Sequence, residues 1–236
     1  MANNLGTTHG VAGASGGLHA AHQVDVTVIP ALSGRNRLTA AFRLLLAIPH
    51  LLLVGGPVGL ALTFVWNEQS GPRAEWGAGT GVLGAVAAVA ALIGWFAIVF
   101  GGRFPDGLWR LASFYLRWRV RAGAYLALLR DEYPPFGDEP YPAALSLAPQ
   151  PVQRDRWGVA FRIVLAIPHL VAIWALGIAW AVTTLVAWVS IIFTGDYPPR
   201  LYHFGVGVLR WSTRVEAYLL LLHDEYPPFS LESSGS

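Results

Sequence analysis

Arginine and histidine recur seven residues apart at two places, Arg43 with His50 and Arg162 with His169. On a helix such a pair shares one face, two turns apart, and a proline, Pro49 or Pro168, stands just before each histidine. Two chemistries suit this pattern. A polar seam between helices would hold a phosphate headgroup or pass an ion or proton. Alternatively, arginine snorkels to a membrane interface while histidine bonds a carbonyl freed by the proline. A second pattern, Arg117, Arg121 and Tyr125, returns as Arg210, Arg214 and Tyr218, a stripe at helical spacing. With Trp118 and Trp211 beside it, the stripe suits an anionic leaflet, each arginine contributing about 1 kcal/mol, or else serves topology alone. Asp131-Glu132 and Asp224-Glu225 close the same segments, at the helix end whose dipole is already negative. Ion pairs to Arg35 and Arg37, or to Arg154 and Arg156, would compensate them and clamp each half shut.

The rest of the composition removes chemistries. All 16 basic residues are arginine and cysteine is absent. There is thus no P-loop lysine, Schiff base, thiolate nucleophile or cysteine-ligated metal. Gly13 to Gly17 fits GxSxG but lacks the strand and helix that a nucleophile elbow needs. His9, His19 and His22 fall in a Gly/Ala-rich segment with nothing to fix them. We therefore expect no catalytic residue, no metal and no cofactor, and a net charge of +2 argues against a nucleic-acid partner.

These residues have to be positioned by an unusually apolar chain. Of 236 residues, 54% are hydrophobic and only 13% charged, which points to the bilayer as solvent. Leu44 to Asn67 and Trp76 to Gly102 carry no formal charge, and each is long enough to cross a core of about 30 Å at about 1.5 Å per residue. In the second half Ile163 to Gly195 is one uncharged run of 33 residues. It reads either as a hairpin turning near Gly177 or as an interfacial helix to Pro168 followed by one span. A hairpin in both halves leaves only Arg73 outside and 15 arginines inside, which favours four spans over three and puts both termini in the cytoplasm. Residues 105–130 and 198–223, rich in Arg, Trp and Tyr, read as amphipathic helices lying in the interface. Gly77, Gly81 and Ala85 form a small-residue stripe suited to close helix packing.

The chain also repeats itself. Residues 41–51 match 160–170 at an offset of 119, with nine of eleven identical, and 116–136 match 209–229 at an offset of 93, with fifteen of twenty-one identical. The first copy therefore carries 26 extra residues between His50 and Trp95, with a polar loop expected around Asn67 to Arg73. We divide the chain into a disordered tail (1–22), a first repeat (23–136), a second repeat (137–229) and a polar tail (230–236). Each repeat opens on an alternating stretch, Val24–Val28 or Ala143–Leu147, that reads as a strand.

The motifs Phe-Arg-x-x-Leu-Ala-Ile-Pro-His, Phe193-Thr-Gly-x-Tyr-Pro198, Leu209-Arg-Trp-x-x-Arg-Val-x-Ala-Tyr218 and Asp-x-Tyr-Pro-Pro-Phe resemble a bacterial membrane family, domain of unknown function four-three-eight-nine. The likeness covers about residues 22–136 and 141–230, as two tandem copies. It implies a multi-pass protein of the cytoplasmic membrane and supplies no activity. The fold expected is thus an all-α integral membrane protein of two repeats, each a transmembrane hairpin plus an interfacial helix. The function expected is a non-enzymatic anchor or adaptor that contacts anionic lipids and docks a protein partner or a second copy at its cytoplasmic face. A transporter or channel built on the Arg/His seam is the alternative, and a lipid-modifying enzyme ranks last.

Overall fold

A computed structural model describes residues 24–56, 60–67 and 71–233, with the side chains of 60–67 and 71–78 left out. The expected tail 1–22, with its three histidines and GxSxG match, lies outside the described residues. The chain is mostly helical. The two alternating stretches form β1 (Val24–Val28) and β4 (Ala143–Leu147), paired antiparallel with Val26 opposite Leu145. Alternation puts Val24 and Val26 into the core and leaves Thr27 in solvent.

The first repeat continues through three short helices, α1 (Arg37–Ala41), α2 (Arg43–Leu46) and α3 (Ile48–Val54). Asn36 caps α1, its side chain accepting from the N–H groups of Leu38 and Thr39. Helix stops at Gly55, whose φ of +68° glycine tolerates. Next come β2 (Leu60–Asn67) and β3 (Gly71–Ala78), an antiparallel pair, and then α4 (Gly81–Gly101). This corrects the expectation of a spanning helix over Leu44–Asn67. An uncharged run satisfies strand and helix equally, and Thr63-Phe64-Val65-Trp66 after Gly55-Gly56-Pro57 favours the strand. Gly77 accordingly lies in β3, off the expected helical stripe.

After α4 the chain reverses at Gly102 (φ +74°) into α5 (Asp106–Leu126). In the second repeat α6 (Arg156–Ala160) leads into α7 (Arg162–Thr194), which Gly195 (φ +82°) ends before α8 (Pro199–Leu219). α7 is a single helix of 33 residues containing Pro168, so the hairpin expected near Gly177 does not form. One glycine inside a helix costs only about 1 kcal/mol, too little to break a helix that packs along its whole length.

The largest difference between the two repeats is one insertion. Val54 corresponds to Ile173 and Gly81 to Trp174, so residues 55–80 are the insertion, placed inside a helix that runs unbroken in the second repeat. The chain closes behind it. A Cβ on Gly81 (φ +71°) would fall 2.5 Å from the Leu53 carbonyl carbon and 2.7 Å from the Gly55 nitrogen. Only glycine lets strand β3 return to the point where α3 left off.

Three layers result. The β1–β4 ribbon covers α5 and α8, and these in turn rest on α4 and α7. α5 and α8 are antiparallel, since Tyr115 reaches Glu216 while Gly123 meets Leu209. An approximate two-fold axis passes through Val26 and Leu145 of the ribbon and the middles of α5 and α8. Contacts cross between the repeats: α1 packs on α7 and α6 on α4. Trp188 Nε1 donates to the Ala40 carbonyl at 3.0 Å, and its counterpart Trp95 Nε1 donates to Val159 at 2.9 Å.

Candidate functional site

The acidic ends of α5 and α8 are where the repeated residues converge. Each helix ends on a leucine in the left-handed region, Leu128 (φ 60°) or Leu221 (φ 62°), a conformation that costs a non-glycine residue roughly 1–2 kcal/mol. Arginine holds the strained turn. Arg35 Nη2 donates to the Leu128 carbonyl at 2.6 Å and, with Nε, grips both carboxylate oxygens of Asp131 at 2.7 Å. Arg43 comes from the other side, to Asp131 Oδ1 at 2.6 Å and the Arg130 carbonyl at 2.7 Å. The second repeat copies this: Arg154 reaches Leu221 and Asp224, and Arg162 reaches Asp224, Tyr218 and His223. A carboxylate at the negative end of a helix dipole is thus answered by two guanidiniums. Burial opposes ionisation of Asp131, but the hydrogen bonds and charge of Arg35, with the Asn36 N–H and Arg43, outweigh it and hold its carboxyl at about 2.

Arg37 and Arg156 are not in these clamps, contrary to expectation. They cross instead to the other repeat, Arg37 against Gly195 and Arg156 against Gly102. Their places in the clamps are taken by Arg43 and Arg162. Glu132 pairs with Arg130, and Glu225 is exposed.

The Tyr-Pro-Pro-Phe that follows each acidic pair folds back over the histidine. His50 is fully buried, stacked on Phe136 (centroids 4.7 Å, 15°) and flanked by Tyr133, while Trp118 Nε1 donates to its Nδ1 at 3.0 Å. His169 has the same ring cage in Phe229, Tyr226 and Trp211, without the tryptophan hydrogen bond. Arg43 lies over the Tyr125 ring at 4.1 Å and Arg162 over Tyr218 at 4.2 Å. Burial pushes the His50 pKa down to about 4, partly offset by the Pro134 carbonyl, so the ring is neutral at pH 7. The two Arg/His pairs form no common seam. Each closes its own repeat, at opposite ends of the antiparallel α5 and α8, because the arginine is drawn to its own acidic turn.

The Arg117/Arg121 and Arg210/Arg214 stripes also lie elsewhere than expected. α5 and α8 are the middle layer, so Arg121 and Arg214 are buried, donating to the carbonyls of Gly137 and Ser230. Arg210 donates to Val26 of the ribbon at 2.9 Å, and Arg117 is half-buried. Among the described residues no group of His, Asp and Glu has metal-binding geometry.

One polar cluster breaks the symmetry. Glu216 accepts from Tyr115 Oη at 2.8 Å and from Arg119 Nε at 2.6 Å, and Arg119 Nη1 donates to the Val54 carbonyl at 2.7 Å. That carbonyl ends α3, where the insertion removed its helical partner. The matching positions of the other repeat are Val208, Ser212 and Gly123, so the cluster exists only beside the insertion. Sequence reading passed over it, although charge at two aligned positions that are Ser and Gly in the other copy was the available signal.

The family profile of a domain of unknown function, DUF4389, matches residues 77–137 and 156–230. The chain belongs to this family. The two DUF4389 segments contain α4–α5 and α6–α8, including both acidic turns and both Tyr-Pro-Pro-Phe motifs. No curated protein and no solved structure matches the chain.

Proposed function

We propose that the chain is a membrane-resident, non-enzymatic module that holds anionic lipid against its lower layer and presents the ribbon side to a protein partner in the bacterial cytoplasm. One observation carries the membrane reading. α4 and α7 are long and apolar enough to cross a bilayer, yet only 28% and 11% of their most apolar stretches are buried. A core helix of a water-soluble domain would be covered, whereas Val86, Phe96, Ile178 and Val182 face outward. Lipid contact is supported at two equivalent corners, where exposed Arg37 precedes exposed Leu38 and Phe42, and exposed Arg156 precedes exposed Trp157 and Phe161. Arginine beside aromatic and aliphatic side chains is the chemistry of the headgroup boundary. The acidic clamps and histidine cages support a structural role, since both carboxylates are held by arginine and both histidine rings are enclosed by aromatic side chains.

Fractionation tests the reading. The protein should stay with membranes through high salt and alkaline carbonate and leave only with detergent. Anionic lipid should co-purify with it and be depleted in an Arg37→Gln/Arg156→Gln variant. Recovery of a monodisperse species from lysate without surfactant would remove the basis of the proposal. Crosslinking in native membranes then identifies the partner.

A further inference from the structure

We infer that this module is monotopic: α4 and α7 lie in the plane of one leaflet, with the approximate two-fold axis along the bilayer normal and the ribbon in water. The inference rests on the membrane reading above and goes beyond it by fixing orientation.

Three observations lead to it. The first is the shape of the apolar surface. On α7 the outward residues Val171, Trp174, Ile178, Val182, Leu185 and Val189 follow a helical stripe opposite the buried Ala166, His169, Trp180 and Ala187. α4 carries the equivalent stripe in Val82, Val86, Val89, Ile93, Phe96 and Phe100. Both stripes point away from the layer that bears the ribbon. α7 is about 50 Å long at 1.5 Å per residue, against a hydrocarbon core of about 30 Å. Both its ends are tied to the body, by Arg162 at the start and by Gly195, which accepts from the Arg35 N–H, at the finish.

The second is the course of residues 131–155. This segment leaves the clamp at Asp131, passes Arg121 at Gly137, forms β4 in the ribbon and arrives at the other clamp beside Asp224. It therefore travels the full length of the body parallel to α5. With α4 and α7 upright, exposed Asp138, Glu139 and Ser146 would lie in hydrocarbon on non-helical backbone, which lipid does not tolerate. With the helices flat, the same segment lies in water.

The third is charge. The two-fold axis exchanges the ends of the molecule, so exposed Arg37 at one end is matched by exposed Arg156 at the other, while Arg35, Arg43, Arg154 and Arg162 are buried in the clamps. Upright, the protein would place one exposed arginine of this pair on each side of the membrane, with no asymmetry of the kind that orients membrane proteins. Flat, Arg37 and Arg156 both meet the headgroups of one leaflet.

The absence of cysteine makes the test direct. Single cysteines are introduced at Ser33 and Val152, exposed and equivalent positions at the two ends, and at Ser146 in the ribbon. Each is exposed to a membrane-impermeant maleimide in spheroplasts and in inverted vesicles. Spin labels at Val171, Ile178, Leu185, Val86 and Ile93 report depth from collisions with oxygen and with a water-soluble nickel chelate. The inference expects all three cysteines to react from the same side only and the labels to sit at one shallow depth. Reaction of Ser33→Cys and Val152→Cys from opposite sides, with depth greatest at Ile178, would overturn it while leaving the membrane reading intact. Nickel access at all five labels would overturn both.

Discussion

At the scale of single residues, the clamps make unequal predictions for neighbouring carboxylates. Removing one partner of a buried ion pair leaves an uncompensated charge, at roughly 3–5 kcal/mol. Asp131→Asn and Asp224→Asn are therefore expected to lower stability strongly in detergent, while Glu225→Gln, exposed beside them, should change it by under about 0.5 kcal/mol. Denaturant titration of the three variants checks the order. The histidine and the carboxylate also set an acid limit. His50 has a folded pKa near 4, below its ordinary 6.5, so the folded state resists protonation and stability falls as pH drops from 6.5 towards 4. Asp131 is held at about 2 against an ordinary 3.8, so its contribution, on the order of 2 kcal/mol, is present above pH 4 and lost as pH falls towards 2. A thermal midpoint that is level from pH 7 to pH 4 would refute the histidine part.

The elements show what a sequence can and cannot reveal. β1 and β4 were legible because larger apolar residues alternate with polar or small ones, Val-Asp-Val-Thr-Val and Ala-Ala-Leu-Ser-Leu, the period of a half-buried strand. The ends of α4 and α7 were legible as Gly102 and Gly195. The acidic turns were legible as sites needing arginine, but choosing Arg43 over Arg37 depended on which face of α1 and α2 meets α5, and spacing is silent on that. The uncharged run through 44–67 was misread because hydrocarbon length alone does not separate a spanning helix from a short helix followed by a strand. The 26-residue difference between repeats marked the location, and the structure shows it as an extruded hairpin whose stump is capped by Arg119. Joining Val54 to Gly81 should restore a 33-residue helix like α7. In that background Val54 regains a helical N–H, so Arg119→Ser should destabilise less than in the full chain, by about 1–3 kcal/mol in a double-mutant cycle. Equal costs in both backgrounds would rule out the capping role.

For the molecule as a whole, neither repeat supplies all of its own neighbours. The ribbon takes one strand from each, α1 rests on α7, α6 rests on α4, and the tryptophan hydrogen bonds run from one repeat to the other. Fragments 24–136 and 137–233, produced together, are expected to reassemble into one particle in detergent, and each alone should be unstable. Stable, separate fragments would contradict the crossed packing. The connecting segment then acts as a tether. By holding the second copy at high effective concentration, it makes permanent an embrace that two separate single-copy chains would have to find by diffusion. Once joined, the pair no longer has to stay identical: one copy carries the hairpin and Arg119, the other the unbroken helix and the Glu216 that Arg119 meets.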